Sequence, residues 1–149
     1  MTHSAYSDSE VLEFPGAIIL RILLNGDQTG GALEVFEDIV QPGVGPGRHI
    51  HHHQDETFFF LDGDFEVEIA GERGRVAPGD VAFIPRGTEH AFKNVGTTPG
   101  RLRYVFSPAY RMEAMFRALH ASLQNGAMDA DVMARIATQH GQEFTGPPL

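Results

Sequence analysis

Cysteine is absent from this chain. That one absence removes a disulfide framework, a thiolate metal site and a cysteine nucleophile together. It leaves the cytoplasm as the default compartment. Lysine is nearly absent too: Lys93 stands alone, and nothing around it is built for Schiff-base chemistry. No Gly-x-Ser-x-Gly elbow occurs. The run Gly43-Val44-Gly45-Pro46-Gly47 lacks the Lys-Ser/Thr pair of a phosphate loop and reads as turn punctuation. Long apolar runs are missing: residues 17–24 are interrupted by Arg21 and are far too short to span a bilayer. The N-terminus shows neither the basic nor the apolar region of a secretory signal. Clusters of basic residues are lacking and the net charge is −9. Nucleic acids and anionic membranes, which need clustered Lys and Arg, are therefore not expected partners.

What is present is a globular balance. Hydrophobic residues make up 42% of the 149 and charged residues 21%, enough for one domain with a real core. Residues 1–15 are polar and small and read as a flexible or edge-lying lead-in. From 16 to 108 the pattern is that of short strands punctuated by turns. Phe65, Val67 and Ile69 alternate with Glu66 and Glu68, the period of a strand with one buried face. Asp62-Gly63, Ala70-Gly71, Pro78-Gly79 and Pro85-Arg86-Gly87 separate the segments. Strands this short, so spaced, predict an all-β sandwich or barrel. After Pro108 the period changes. Met112, Met115, Phe116, Leu119 and Leu123 recur at helical steps, with Asn125-Gly126 as the stop. A second helix is expected from 130 to 140, capped by Asp129. Residues 109–149 thus read as a helical extension packed on the barrel.

The densest feature is a run of histidines: His49, His51, His52 and His53. It is internal and broken by Ile50, unlike a purification tag. On a strand, His49 and His51 project to one face and can share a metal ion. A carboxylate follows at Glu56 and a further histidine at His90. By the same alternation His52 points away, and His53 lies toward a rim. Phe58 and Phe60 share the parity of Glu56, and Phe92 that of His90. They are candidates either for plain core or for the apolar wall of a substrate pocket.

Two spaced patterns carry a resemblance. Gly43, five residues, His49-x-His51, four residues, Glu56, six residues and Gly63 form the first. Gly79, five residues, Pro85-x-Gly87, two residues, His90, three residues and Asn94 form the second. Fifteen residues lie between them. In both, the chain resembles the single-domain cupins, and more loosely their quercetin-dioxygenase-like members. The resemblance implies a cupin double-stranded β-helix, a jelly-roll barrel, here with C-terminal α-helices. It implies that His49, His51, Glu56 and His90 hold one divalent transition-metal ion: Fe, Mn, Ni or Cu, with Zn also compatible. It implies further that Glu56 doubles as the catalytic base.

Such a site would leave coordination positions open for substrate. The expected function is a metal-dependent, dioxygenase-like oxidoreductase acting on a small oxygenated molecule, aromatic ones included. A metal-dependent lyase, isomerase or decarboxylase is the alternative within enzymes. A non-catalytic binder of a metal or small ligand is the alternative outside them, because fold does not settle function. A homodimer is expected from family habit and from the strand edges of a small sandwich.

Overall fold

The computed structural model describes residues 2–149. Ten strands precede the helices: β1 (Glu10–Phe14), β2 (Ile18–Leu24), β3 (Glu34–Val40), β4 (Arg48–His51), β5 (Asp55–Asp62), β6 (Phe65–Ile69), β7 (Glu72–Val76), β8 (Val81–Ile84), β9 (His90–Asn94) and β10 (Gly100–Ser107). Then come α1 (Met112–Gln124), α2 (Ala130–Gln139) and a last strand, β11 (Gln142–Gly146). One sheet has the order β1-β2-β3-β10-β5-β8 and the other β11-β4-β9-β6-β7. The strand pairings are antiparallel. This is an all-β sandwich, as the spacing of turns predicts, in the jelly-roll form that the cupin resemblance implies, with two helices added.

Strand alternation builds the interior. On β5 the inner positions are Glu56, Phe58 and Phe60, and on β10 they are Leu102, Tyr104 and Phe106, all buried. Phe36 on β3 and Phe65 on β6 complete the aromatic centre. Phe58 meets Phe92 with ring centroids 5.5 Å apart, and Phe60 meets Phe65 at the same 5.5 Å. Both pairs join one sheet to the other. Each ring so buried contributes on the order of 1.5–3 kcal/mol, and the edge-to-face pairs somewhat more.

Both ends of the chain depart from the expected division. Residues 10–14, assigned to the lead-in, form β1, with Leu12 paired to Leu20 of β2. β1 is an edge strand, so the edge-lying half of that expectation describes it and the flexible half does not. The segment before it is tied down as well. The Tyr6 hydroxyl donates to Glu37 Oε1 at 2.8 Å, and the Arg21 guanidinium lies 4.7 Å from the Tyr6 ring centroid. Arg21 accordingly sits on the outer face of β2, not in the barrel. At the other end, residues 142–146 leave the helical extension and pair as β11 with β4. Gln-Glu-Phe-Thr-Gly has little strand signature of its own; the backbone ladder of β4 supplies the partner.

The helices fall where the sequence places them. Asp129 caps α2, its Oδ1 accepting from the Val132 amide at 2.8 Å. Asn125 closes α1, and Gly126 follows in the left-handed region at φ 67°. Met115 and Leu119 of α1 are buried. With Met133 and Ala134 of α2 they roof the open end of the barrel.

Candidate metal centre

Three strands from two sheets bring four side chains together. β4 carries His49 and His51 on its buried face, with Ile50 half-buried between them. His49 is the register partner of His90 on β9, so those two face inward side by side. Glu56, at the start of β5, comes across from the opposite sheet. One ligand atom from each of His49, His51, Glu56 and His90 lies within 4.8 Å of every other. All four residues are 5% exposed or less.

Local contacts fix which nitrogen His49 and His90 present. His49 Nδ1 donates to the Gly47 carbonyl at 2.8 Å, and His90 Nδ1 donates to the Thr88 carbonyl at 3.0 Å. With Nδ1 committed, Nε2 of each ring is the free atom, as metal-binding histidines require. His90 Nε2 lies 2.8 Å from Glu56 Oε2. His51 Nε2 lies 3.2 Å from the same oxygen. Yet neither ring nitrogen of His51 makes a hydrogen bond to the described residues, although both are fully buried. An unpaired polar atom in such a place costs about 1–3 kcal/mol. A divalent cation among the four would take one of the two His51 nitrogens and remove the need for a proton between His90 and Glu56. The donor set therefore fits a divalent metal ion, one carboxylate and three imidazoles.

The electrostatics favour neutral His49 and His51 beside an ionised carboxylate. Burial pushes His49 well below its usual 6.5, and the neighbouring His90 and His51 add to this. Burial lowers His51 too. His90 moves the other way: burial would lower it, but the Glu56 carboxylate and the Thr88 carbonyl outweigh that. For Glu56, burial acts upward and is overcome by His51 and His90, which hold the carboxyl well below the usual range.

His49, His51 and Glu56 open onto a cavity of about 500 Å3. Phe58 and Phe92 line it, as their parity predicts, together with Phe106, Phe116 and Phe144. Phe60 is a correction: it shares the parity of Phe58 but does not line the cavity. It sits one inward step deeper, where its ring packs on Phe58 and Phe65, 1% exposed, so it belongs to the core. His52 points away, as expected, to Glu143 at 2.9 Å. His53 stacks on Tyr110 with ring centroids 4.3 Å apart, outside the cluster. The sequence pattern did not single out three polar members of the wall, Asp38, Tyr104 and Gln142. The signal for Asp38 was available: it stands midway between Phe36 and Val40, so strand alternation turns it inward.

Comparison with known proteins decides the family. Residues 36–106 match the cupin domain. The Polyketide synthase CurC of Streptomyces cyaneus is 30% identical over 110 residues, which are 74% of this chain and 68% of that one. The chain belongs to the cupin family. Quercetin 2,3-dioxygenase of Bacillus subtilis (strain 168) is 34% identical over 80 residues, 52% of this cupin and 23% of that protein. Among the first curated relatives, the matched stretch spans from 23% to 52% of their own length. Among solved structures, KdgF from Halomonas sp. superposes with a TM-score of 0.66 at 23% identity, over 76% of this cupin and 99% of that chain. Within the described residues of this cupin, no helix is long and apolar enough to cross a membrane.

Proposed function

We propose that this cupin is a metal-dependent oxidoreductase of the dioxygenase-like kind, acting on a small hydroxylated aromatic molecule. One observation carries the reading: the metal-compatible cluster opens into a cavity walled mainly by aromatic and aliphatic side chains. No Lys or Arg lines it. A phosphorylated or carboxylated sugar would enter such a cavity with its anion poorly paired, a cost of several kcal/mol. A phenol would bury its ring against Phe58, Phe92 and Phe106 and direct its oxygen at the cluster.

In this reading His49, His51, Glu56 and His90 hold the ion. A divalent first-row ion supplies Lewis acidity there and, for Fe, Mn, Ni or Cu, redox chemistry with dioxygen. Glu56 Oε2 faces His51 and His90, while Oε1 makes no hydrogen bond to the described residues. Oε1 is thus the atom available to take the proton of a substrate hydroxyl. The phenylalanine wall orients the ring and excludes water. The similarity to quercetin 2,3-dioxygenase supports this assignment.

A second reading uses the same residues without oxygen: ring closure of a polyketide-type chain. The match to a polyketide synthase protein over two thirds of its length favours it. Oxygen uptake by metal-reconstituted protein separates the two. Uptake with a hydroxylated aromatic is expected. Its absence across Fe, Mn, Ni and Cu and a panel of phenols and flavonols would sink the oxidoreductase reading. Turnover of an aromatic precursor under strict anaerobiosis would select the second.

A further inference from the structure

Three polar side chains in the cavity wall are not part of the metal cluster, Asp38, Tyr104 and Gln142, and the first two of them are paired. Asp38 of β3 is 4% exposed and lines the cavity. Tyr104 of β10, also 4% exposed, donates its hydroxyl to Asp38 Oδ1 at 3.1 Å. Asp38 Oδ2 makes no hydrogen bond to the described residues, and it is not sealed away from solvent-sized space. It is a hydrogen-bonding oxygen left open in the cavity wall.

Packing does not call for this pair. The strand partners of Asp38 are Leu20 and Leu102. Tyr104 stacks on Phe36 with centroids 5.4 Å apart and meets Phe58 edge-on at 6.1 Å. Leu and Phe at these two positions would fill the space without burying a carboxyl and a hydroxyl, and replacing both hydrogen-bonding partners by apolar groups is often neutral or stabilising. If the acid were there only to satisfy the tyrosine, both of its oxygens would be expected to be engaged or sealed.

The register places the pair relative to the cluster. Phe106 is opposite Glu56, and Tyr104, two residues back on β10, is opposite Phe58. Two residues of strand amount to about 7 Å. The wall between is Phe106, whose ring lies 4.7 Å from that of His51, and Phe58. A ligand with one oxygen at the cluster and another at Asp38 would lay its rings along Phe58 and Phe106.

We propose that Asp38 and Tyr104 form a second polar anchor of the cavity, which takes a hydroxyl group of a multi-ring phenol whose other oxygen lies at the metal cluster. This rests on reading the cavity as a site for a hydroxylated aromatic, and it narrows that class to polyphenols with hydroxyls at opposite ends of the ring system. Burial also raises the Asp38 carboxyl to about 8, which suits a neutral hydroxyl over an ammonium group.

The test compares 2-naphthol with 2,6-dihydroxynaphthalene by calorimetry on the metal-loaded protein. The wild type should bind the diol roughly tenfold more tightly, the worth of one added hydrogen bond. In the double variant Asp38→Leu/Tyr104→Phe that preference should vanish, with affinity for 2-naphthol and metal content both unchanged. Equal binding of the two probes by wild type would overturn the anchor and leave the aromatic reading standing. So would a preference that survives in the double variant. Failure of wild type to bind either probe would overturn both. A crystal structure of wild type with the diol gives an answer that does not depend on any variant folding. One hydroxyl within hydrogen-bond distance of Asp38 Oδ2 is expected, and both hydroxyls elsewhere would refute the proposal.

Discussion

Replacing Asp38 by Asn should stabilise the metal-free protein, by an amount that grows with pH. Asp38 sits among apolar side chains, and burial, helped by the charges of Glu56 and Glu37, raises its carboxyl from 3.8 to about 8 against the opposing hydrogen bond from Tyr104. The native state therefore keeps a proton that the unfolded chain releases. Between pH 3.8 and about 8 the native state binds more protons, so stability falls as pH rises through that window. Each pH unit corresponds to 1.36 kcal/mol. At pH 4.5 the liability is about 1 kcal/mol, and at pH 7 it is roughly 4 kcal/mol. Asn has nearly the same shape, keeps an acceptor for Tyr104 and carries no charge. Asp38→Asn should thus gain only about 1 kcal/mol near pH 4.5 and roughly 4 kcal/mol at pH 7, about 8–16 °C in Tm. Urea unfolding in chelator, repeated from pH 4.5 to 8, measures it. Glu34, also raised to about 8 by burial and by Glu113, changes both proteins alike and drops out of the difference. A difference that stays flat with pH, or an Asn variant less stable at pH 7, would refute the reasoning. A liability of this size in a fold worth 5–15 kcal/mol in total fits a residue kept for what the cavity binds.

Three further outcomes are expected. Ala at His49, His51, Glu56 or His90 should each weaken metal binding by more than 100-fold, read by elemental analysis after dialysis, whereas His52→Ala, a change at a side chain bonded to Glu143, should leave metal content intact; equal loss from His52→Ala would show the ligand register to be wrong. Metal affinity should fall as pH drops, starting above the ordinary histidine value of 6.5, because His90, whose value Glu56 raises, takes up a proton first; full retention at pH 4 in protein still folded by circular dichroism would contradict this. Gly45→Ala should destabilise by about 3 kcal/mol or more, because its Cβ would stand 1.9 Å from the Phe92 carbonyl oxygen and 3.0 Å from Lys93 Cα, both backbone atoms; an unchanged Tm would show that the loop before β4 does not cross β9 so closely.

The ligand cluster was legible because its signals are local. Alternation on β4 puts His49 and His51 on one face, and the turns at Gly63, Gly79 and Gly87 set the lengths of the strands that carry Glu56 and His90. Those features need only a few consecutive residues each. The same parity rule identified Phe58 and Phe92 as inward, but it could not tell how deep each lies. Between core and wall, Phe60 is decided by β6, which brings Phe65 against it.

The remaining features depend on partners distant along the chain. Asp38 and Tyr104 are 66 residues apart, joined only because β3 and β10 lie side by side. β1 and β11 carry weak strand signatures, and the ladders of β2 and β4 decide their conformation. The roof of the cavity comes from α1 and α2, whose apolar stripes show that they bury a face but not against what. Local composition and spacing thus determine most of the strands, the turns and the two motifs through which the cupin resemblance implies the four cluster residues. Which strands become neighbours, and so which polar groups share a cavity with that cluster, is settled by long-range backbone pairing and side-chain packing, which no short stretch of sequence encodes.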